Sequence, residues 1–165
     1  MASLTPVVRP GGRVTAGNSS QIADGAAAVL IGDLAAARAD GLVPKAKFRA
    51  RVAIGSDPSL QLDGVLAATD RALAAAGVGL ADVDWIEVNE AFASVPLAWC
   101  RHFKVAPEAV NPWGGAIAHG HPLGATGAVL IANTLAGLED TDATLGLVLF
   151  CAAHGMAMAT LLERI

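Results

Sequence analysis

The run from residue 145 to 151, Leu-Gly-Leu-Val-Leu-Phe-Cys, constrains the fold of this chain most strongly. A strand with one face in water alternates apolar and polar residues, and this run does not alternate. Its length is that of a single strand, and its character is that of the centre of a sheet covered on both faces. The run therefore predicts a layered domain in which helices pack on a sheet.

Shorter patterns along the chain predict an alternation of strands and helices. Apolar runs and alternations predict strands at 47–54, 84–88 and 156–162, and a short continuous run at 26–31 has the size of a buried strand. Helical spacing predicts helices at 34–39, 62–76, 93–103 and 125–138, with Pro96 in the first turn of the third. This order indicates an α/β fold with helices covering a mixed β-sheet. We expect one domain over 1–165, because this length supports one core.

Composition excludes several classes of function. Apolar residues make up 54% and charged residues 16%, which argues against disorder and suggests that some surface is buried against another subunit. The net charge of −4, without a basic run, argues against a nucleic-acid partner. No apolar stretch reaches the ~18 residues of a membrane span, and the N-terminus lacks the apolar core of a signal peptide. Cys100 and Cys151 alone do not form a disulfide framework, so we predict a cytoplasmic protein.

Three segments place reactive side chains next to predicted strands and loops. Sites in open α/β sheets gather where strands end and loops begin. The segments are Asn-Glu-Ala-Phe at 89–92, Gly-Gly-Ala-Ile-Ala-His-Gly-His-Pro-Leu-Gly-Ala-Thr-Gly at 114–127, and Cys-Ala-Ala-His-Gly-Met at 151–156.

Each segment has a structural and a functional interpretation. The glycine-rich segment is compatible with simple turn geometry, but His121 is held between Gly120 and Pro122 just before a predicted helix, whose amides favour a neutral imidazole or a nearby anion. Cys151 is either an inert buried thiol or, near a histidine, a group that exchanges protons at neutral pH. Asn89 and Glu90 are compatible with solvated loop residues, and Asn89 equally with a buried amide that positions a water.

Together these segments resemble the C-terminal half of the thiolases, the enzymes that make or cleave 3-ketoacyl-CoA. The resemblance begins at Val-Thr-Ala-Gly-Asn-Ser-Ser (14–20) and Asp-Gly-Ala-Ala (24–27), and it continues through the three segments above. It covers nearly the whole chain and implies a thiolase-like layered domain. The stretch 92–99, Phe-Ala-Ser-Val-Pro-Leu-Ala-Trp, is similar to bacterial degradative thiolases, including those that act on steroid-derived acyl chains.

The resemblance implies catalytic roles for three residues. His121 would activate a nucleophilic cysteine and help to form an oxyanion hole for the thioester carbonyl. Asn89 would hold a water that completes this hole. Cys151 would be the second catalytic cysteine, the acid/base that moves a proton to or from the acetyl carbon or the leaving thiol. Positioned donors and acid/base groups are what a Claisen condensation requires.

The resemblance also implies contacts with the substrate, coenzyme A or acyl-CoA, and no permanently bound cofactor. Ser20 matches a position that lines the pantetheine tunnel, and Phe92 and the loop around Ile117 would shape the acyl pocket. Gly120 is a further substrate-binding position. The backbone amide of Ala153 would serve the second oxyanion hole, provided that its backbone conformation is free of strain.

Two departures from the family bear on these roles. Thiolases follow the second cysteine with one variable residue and three glycines, whereas Ala152-Ala153-His154-Gly155 stands here. The nucleophile belongs to the family's N-terminal half, no residue of this chain matches it, and Cys100 lacks its flanking pattern. The family's loop domain for the nucleotide end of coenzyme A is also absent from this sequence.

These departures leave three interpretations open. The chain is one subunit of a split thiolase hetero-oligomer, whose partner is an N-terminal-type chain carrying the nucleophilic cysteine. Alternatively, it is a non-catalytic thiolase-like scaffold, or a shortened form of an ordinary thiolase. A zinc site built from His119, His121, His154 and Cys151 is disfavoured, because His-x-His between Gly and Pro is a weak ligand spacing.

Overall fold

A mixed sheet is the centre of the computed structural model, which describes residues 3–165. Its strand order is β1-β4-β3-β2; β2 and β3 run parallel, whereas β4 is antiparallel to both β3 and β1. The strands are β1 (Ala46–Gly55), β2 (Trp85–Val88), β3 (Leu145–Ala152) and β4 (Met156–Arg164). The prediction of an α/β fold with a mixed sheet is confirmed.

Helices cover both faces of this sheet. The helices are α1 (Leu34–Ala39), α2 (Gly64–Ala76), α3 (Ser94–Phe103), α4 (Ala116–His119) and α5 (Thr126–Asp140). Residues of α2 and α3 form the larger apolar core with one face of the sheet. On the opposite face, Leu130 of α5 packs with Val148 and Leu162 in a separate cluster. No helix in the described range 3–165 is long and apolar enough to cross a membrane.

The two clusters explain the lack of alternation in β3. Leu147 and Leu149 point into the core under α2 and α3, and both are fully buried. Val148, between them, points to the α5 face and is also buried. The expectation of a strand that is covered on both faces is therefore confirmed.

Most predicted elements are present within a few residues of their expected bounds. The strands expected at 47–54, 84–88, 145–151 and 156–162 are found, as are the helices expected at 34–39, 62–76, 93–103 and 125–138. Pro96 lies in the first turn of α3, where its missing N–H costs no helical hydrogen bond. The glycine-rich loop additionally contains α4 and a short 3₁₀ turn at Leu123–Ala125.

The predicted strand at 26–31 is wrong. This segment has no strand assignment, and Leu30 and Ile31 are 84% and 63% exposed. A continuous apolar run indicates a segment that gains free energy on burial, but it does not specify what covers it. No strand in the described part of the chain pairs with 26–31.

Helix α5 approaches the sheet closely because two glycines lie at the contact. A Cβ added to Gly137 would stand 2.5 Å from the indole ring of Trp85, and one added to Gly146 of β3 would stand 2.3 Å from Thr134 Cγ2. Real Cβ atoms do not approach other atoms so closely, so a methyl group at either position requires the helix or the strand to shift. The contact between α5 and the sheet therefore depends on the absence of these side chains.

Beside this contact, β2 carries a buried carboxylic acid. Glu87 is fully buried, and its Oε1 accepts a hydrogen bond of 2.9 Å from Trp85 Nε1, while Oε2 has no partner among the described residues. Burial raises the pKa of Glu87 to about 7, although the bond from Trp85 opposes the shift. The acid is accordingly held largely in its neutral form below that pH.

The packing of α5 makes a first prediction. Gly137→Ala should lower the free energy of unfolding by about 1–3 kcal/mol, because the overlap with Trp85 outweighs the gain in helix propensity. Gly127→Ala in the same helix is the matched control, since a Cβ there meets nothing within 4 Å. The control should be neutral or stabilising by up to about 1 kcal/mol. Chemical unfolding of both variants measures the difference, and equal effects would contradict the close contact.

Glu87 makes a second prediction, which concerns pH. Its folded pKa is raised from 4.5, so its contribution to stability is complete below pH 4.5 and is lost as pH rises through about 7. The loss amounts to about 3 kcal/mol. Glu87→Gln keeps an acceptor for Trp85 but cannot ionise, so its stability should fall less between pH 5 and pH 8 (roughly the span of this titration).

Urea unfolding across this pH range measures the difference between variant and wild type. Glu108→Gln is the control, because Glu108 is an exposed carboxylate. The same pH dependence in Glu87→Gln and wild type would show that Glu87 is already ionised in the folded chain.

Candidate active site

Asn89 and Cys151 meet at the ends of two neighbouring parallel strands. The backbone N–H of Asn89 donates to Leu149 O at 2.9 Å, which continues the pairing of β2 with β3 by one residue. The amide Nδ2 of Asn89 lies 4.0 Å from Cys151 Sγ, within reach of a weak hydrogen bond to sulfur. Both side chains are buried, at 1% and 4% exposure.

Opposing effects act on the thiol of Cys151. Burial raises its pKa, while the backbone amide of Cys151, the Asn89 side chain and the backbone amide of Ala91 act in the opposite direction. Burial is the largest effect, so the group carries its proton at neutral pH. The N–H groups that face the sulfur stabilise the thiolate once that proton leaves. This is the environment of a group that both donates and accepts a proton.

The carbonyl oxygen of the Asn89 side chain is the other polar end of this amide. Oδ1 is buried and accepts no hydrogen bond from the described residues. Leaving such an oxygen without a donor costs about 1–3 kcal/mol, so it is a ready acceptor for a water or a substrate group. The Nδ2 end of the Asn89 amide thus faces Cys151, while its Oδ1 end can accept a hydrogen bond from a bound group.

His121 is fixed by its backbone and by its ring. Its N–H donates to Gln21 O at 2.8 Å, and its carbonyl accepts from Ala23 N at 3.4 Å. Its Nδ1 lies 2.6 Å from the hydroxyl Oγ1 of Thr126, the first residue of α5. With Nδ1 occupied, Nε2 is the nitrogen that remains for chemistry.

The surroundings of His121 favour its neutral imidazole, the form that can accept a proton. Burial lowers the pKa of the imidazole, which keeps it neutral at neutral pH. Its ring centroid is 6.2 Å from that of Phe150, the residue before Cys151 in β3. His121 therefore lies near the end of β3 on the α5 face, to which Phe150 points, whereas the Cys151 side chain points to the opposite face of the sheet.

Gly120 is required at its position. Its φ is +97°, and a Cβ there would stand 2.5 Å from Ala23 Cβ. Any side chain would push the segment before His121 away from residues 21–23. The glycine thus permits the short backbone bonds that hold His121.

Ser20 lies against the segment that follows Asn89. Its backbone N–H and its hydroxyl both donate to Ala91 O, at 3.2 and 3.1 Å. Ser19 forms an antiparallel bridge with Phe92, and Ala93 N donates to Asn18 O. The structure accordingly brings the half-buried Ser20 and Phe92 together on one edge of the site.

Ile117 lies on another side of the site. It lines an open cavity of about 210 Å³ with Glu90, Leu97 and Cys100, and Phe92 is not among the lining residues. Burial raises the pKa of the Cys100 thiol, which is inside α3 and 6% exposed. The structure therefore does not place Phe92 and Ile117 in one pocket.

The turn after Cys151 contains the departure from the glycine run. Ala153 is exposed and its φ is not positive, so its backbone is free of the strain that a positive φ would cause. His154 instead adopts φ +67°, which costs a residue with a side chain about 1–2 kcal/mol. Its N–H donates to Gln61 Oε1 at 3.1 Å. Gly155 cannot be replaced, because a Cβ would stand 2.5 Å from Ser56 O.

Thr126 was not identified from the sequence. The signal that could have found it is a hydroxyl at the start of a helix, a few residues after a histidine. Within residues 3–165, no cluster of three or more His, Cys, Asp or Glu side chains has a geometry that could hold a metal ion.

Comparison with known proteins identifies the class to which this fold and site belong. The family model "Thiolase, C-terminal domain" matches residues 42–164, and "Thiolase, N-terminal domain" matches residues 1–34. The chain belongs to the thiolase family.

Two curated relatives align with the whole chain. It is 46% identical to the steroid 3-ketoacyl-CoA thiolase FadA6 of Mycobacterium tuberculosis, covering 100% of this chain and 40% of that protein. It is 44% identical to the acetyl-CoA acetyltransferase of Escherichia coli, covering 100% of this chain and 42% of that protein.

Solved structures agree with this assignment. The Bacillus anthracis acetyl-CoA acetyltransferase superimposes with a TM-score of 0.93 at 32% identity, covering 99% of this chain and 42% of that one. Human mitochondrial 3-ketoacyl-CoA thiolase superimposes with a TM-score of 0.89 at 33% identity, covering 99% and 41%. The chain thus spans about two fifths of the length of these relatives.

The turn at 153–155 makes a third prediction. His154→Gly should raise the free energy of unfolding by about 1 kcal/mol, because glycine adopts a positive φ without a Cβ penalty. Ala153→Gly is the matched control: it relieves no strain and should lower stability by about 0.5–1 kcal/mol. Thermal unfolding distinguishes them as shifts of about 2–4 °C per kcal/mol. If both variants lose stability, the turn does not store strain at His154.

Proposed function

We propose that this chain supplies the C-terminal half of a thiolase active site, for CoA-dependent thiolysis or Claisen condensation of 3-ketoacyl-CoA. The observation that carries this proposal is the placement of Asn89 Nδ2 4.0 Å from the sulfur of the buried Cys151. Burial keeps the imidazole of His121 neutral, and its ring packs near that of Phe150, the residue before Cys151 in β3. A surface used only for binding has no need for this combination.

Cys151 is the acid/base of the proposed reaction. In the first step of thiolysis, the thiol of Cys151 protonates the departing acetyl carbon. In the second step, the resulting thiolate takes the proton of the incoming coenzyme A thiol. The burial that raises its pKa makes the thiol the resting form, and the surrounding N–H groups lower the cost of ionisation. Such a positioned acid/base contributes roughly 10²–10⁴ to a rate.

His121 and Asn89 serve the thioester carbonyl. His121 Nε2 activates the partner's nucleophilic cysteine and then donates to the developing oxyanion. The unpartnered Oδ1 of Asn89 accepts from a water, which turns a hydrogen of its own toward the same oxyanion. Removal of one such donor typically costs about 10²–10³ in rate.

Five further residues would contact the substrate, which is coenzyme A or acyl-CoA; we propose no permanently bound cofactor. Ser20 would line the pantetheine tunnel, Phe92 and Ile117 would border the acyl group from different sides, and Gly120 would hold the backbone close to it. The exposed amide of Ala153 would serve the second oxyanion hole. The absence of a positive φ at Ala153 supports this role, because no strain is needed to present the amide.

The partner in this proposal is a thiolase N-terminal-type chain that carries the nucleophilic cysteine, in a cytoplasmic hetero-oligomer. Exposed apolar side chains support it: Ile22, Leu30 and Ile31 are 79%, 84% and 63% exposed. All three lie in the segment that matches the N-terminal family model, whereas residues 42–164 match the C-terminal family model. Covering such side chains is favourable at roughly 25 cal/mol per Å².

The acyl group is a 3-ketoacyl chain of the fatty-acid or steroid-derived class. The relative FadA6 carries a steroid 3-ketoacyl-CoA thiolase name, and the stretch 92–99 is similar to bacterial degradative thiolases. A non-catalytic thiolase-like scaffold is the second candidate. The observation that favours it is His154, whose side chain stands where the family has a glycine.

The test of this proposal starts from the chain purified without a tag from its own source, with any protein that stays bound. We expect native mass to show a second chain, whose reactive cysteine is labelled by iodoacetamide, and the complex to cleave acetoacetyl-CoA with coenzyme A. His121→Ala should lower kcat by roughly 10²–10⁴ while assembly persists.

A cysteine pair provides the control in the same complex. Cys151→Ser should stop carbon–carbon bond exchange yet allow acetyl-CoA to acylate the partner's cysteine by thioester exchange, with coenzyme A as the leaving thiol, seen as a mass increase. Cys100→Ser should keep kcat for carbon–carbon bond exchange, because Cys100 moves no proton in the proposed reaction; since it lines the cavity beside Ile117, any effect of this change belongs to KM. A homo-oligomer that is inert toward acetoacetyl-CoA would refute the split enzyme and favour the scaffold.

A further inference from the structure

Glu90 connects two segments that the proposed function assigns to catalysis. It directly follows Asn89, at the end of β2. Its carboxylate accepts a hydrogen bond of 2.8 Å from Asn111 Nδ2 at Oε1 and one of 3.0 Å from the backbone N–H of Ile117 at Oε2. Ile117 belongs to α4, which leads through Gly120 to His121. One side chain thus ties the strand end of Asn89 to the segment that carries the histidine.

Asn111 cannot rotate to suit a different neighbour. Its Oδ1 accepts from Val88 N at 2.7 Å, its Nδ2 donates to Val88 O at 2.9 Å, and its backbone N–H donates to Ile86 O at 2.9 Å. The side-chain amide thereby substitutes for a neighbouring strand on the open edge of β2. A flip of this amide would break both bonds to Val88, so Nδ2 must face Glu90 as a donor.

Gly115 leaves the space that Glu90 occupies. A Cβ at this position would stand 2.2 Å from Glu90 Cδ and 2.5 Å from both carboxylate oxygens. The φ of Gly115 is −117°, which any residue adopts, so space alone requires glycine here. The carboxylate is therefore held by two donors and borders Gly115 closely, while its remaining side faces the open cavity that it lines with Ile117.

We infer that Glu90 is a positioning residue that fixes His121 relative to Asn89 by clamping the start of α4 to β2. It acts on catalysis through His121 and Asn89, the two groups that the proposed function places at the thioester carbonyl. The inference rests on the proposed function for its catalytic consequence, while the clamp itself is a property of the chain. A displacement of about 1 Å in a catalytic group can cost on the order of 10²-fold in rate.

Glu90→Gln tests the clamp with almost no change in shape. The new amide has one acceptor and one donor, whereas Asn111 Nδ2 and the Ile117 N–H are both donors, so one contact becomes donor against donor. Gly115→Ala displaces the unaltered Glu90 by overlap. Glu108→Gln is the matched control, because it removes the charge of an exposed carboxylate at a 3₁₀ turn preceding the same loop.

The first measurement follows the His121 ring by NMR as a function of pH in the full chain. Burial lowers the pKa of His121 in the wild type. In Glu90→Gln and Gly115→Ala, the freed loop admits water to the ring, so this pKa should rise toward its ordinary value; in Glu108→Gln it should not change. A value identical to wild type in both clamp variants overturns the inference, whatever their activities.

The second measurement is kinetic, in the assembled complex. Both clamp variants should lower kcat by roughly 10- to 100-fold while KM for coenzyme A changes by less than about twofold. The double variant should lose no more than the worse single one, since both act on one contact. Full activity in Glu90→Gln, or an equal loss in Glu108→Gln, overturns the inference. If the wild-type complex itself is inactive, the proposed function fails, and the NMR result still decides the role of Glu90.

Discussion

The parallel pairing of β2 with β3 is the interaction on which the rest of the site depends. The register sets Val88 opposite Leu149, and Asn89 extends the ladder by one residue, which brings its amide to Cys151. On the other edge of β2, Val88 bonds to Asn111. Just beyond the end of β2, Ala91 accepts a hydrogen bond from Ser20. A strand with all four residues buried thus organises the thiol, the amide and both flanking loops.

The parts of the fold that sequence could predict are those in which local pattern and burial agree. The unbroken apolar run of β3 indicates that both faces of the strand are covered. Leu147 is buried in the core on one face, and Val148 is buried in the cluster on the other. The same signal misled at 26–31, because apolar content measures the gain from burial and not the identity of the covering surface. The close approach of α5 could not be predicted either, since Gly137 reveals its use only when Trp85 is known to face it.

The site divides in a similar way. The strand-end rule located Asn89 and Cys151, because both follow apolar runs whose direction is set by the sheet. It singled out the segments that contain Glu90 and Thr126 but gave neither residue a role, and it did not locate Asn111. Their hydrogen bonds join positions far apart in the pattern, so no period reveals them. The departure in the glycine run was visible in the sequence, but only the backbone shows that the positive φ falls on His154 rather than on its neighbour.

The hairpin between β3 and β4 also determines the orientation of the sulfur. Ala152 pairs with Met156, so three residues close the turn, and Cys151 pairs with Ala157 on the face under α2. Successive side chains point to opposite faces, and a slip of one residue in β3 would turn the thiol toward α5. The length of this turn therefore decides which face of the sheet carries the thiol. Its composition is restricted only where the backbone demands it, at Gly155 above all, whereas an insertion or deletion that shifts β3 would separate the thiol from its amide.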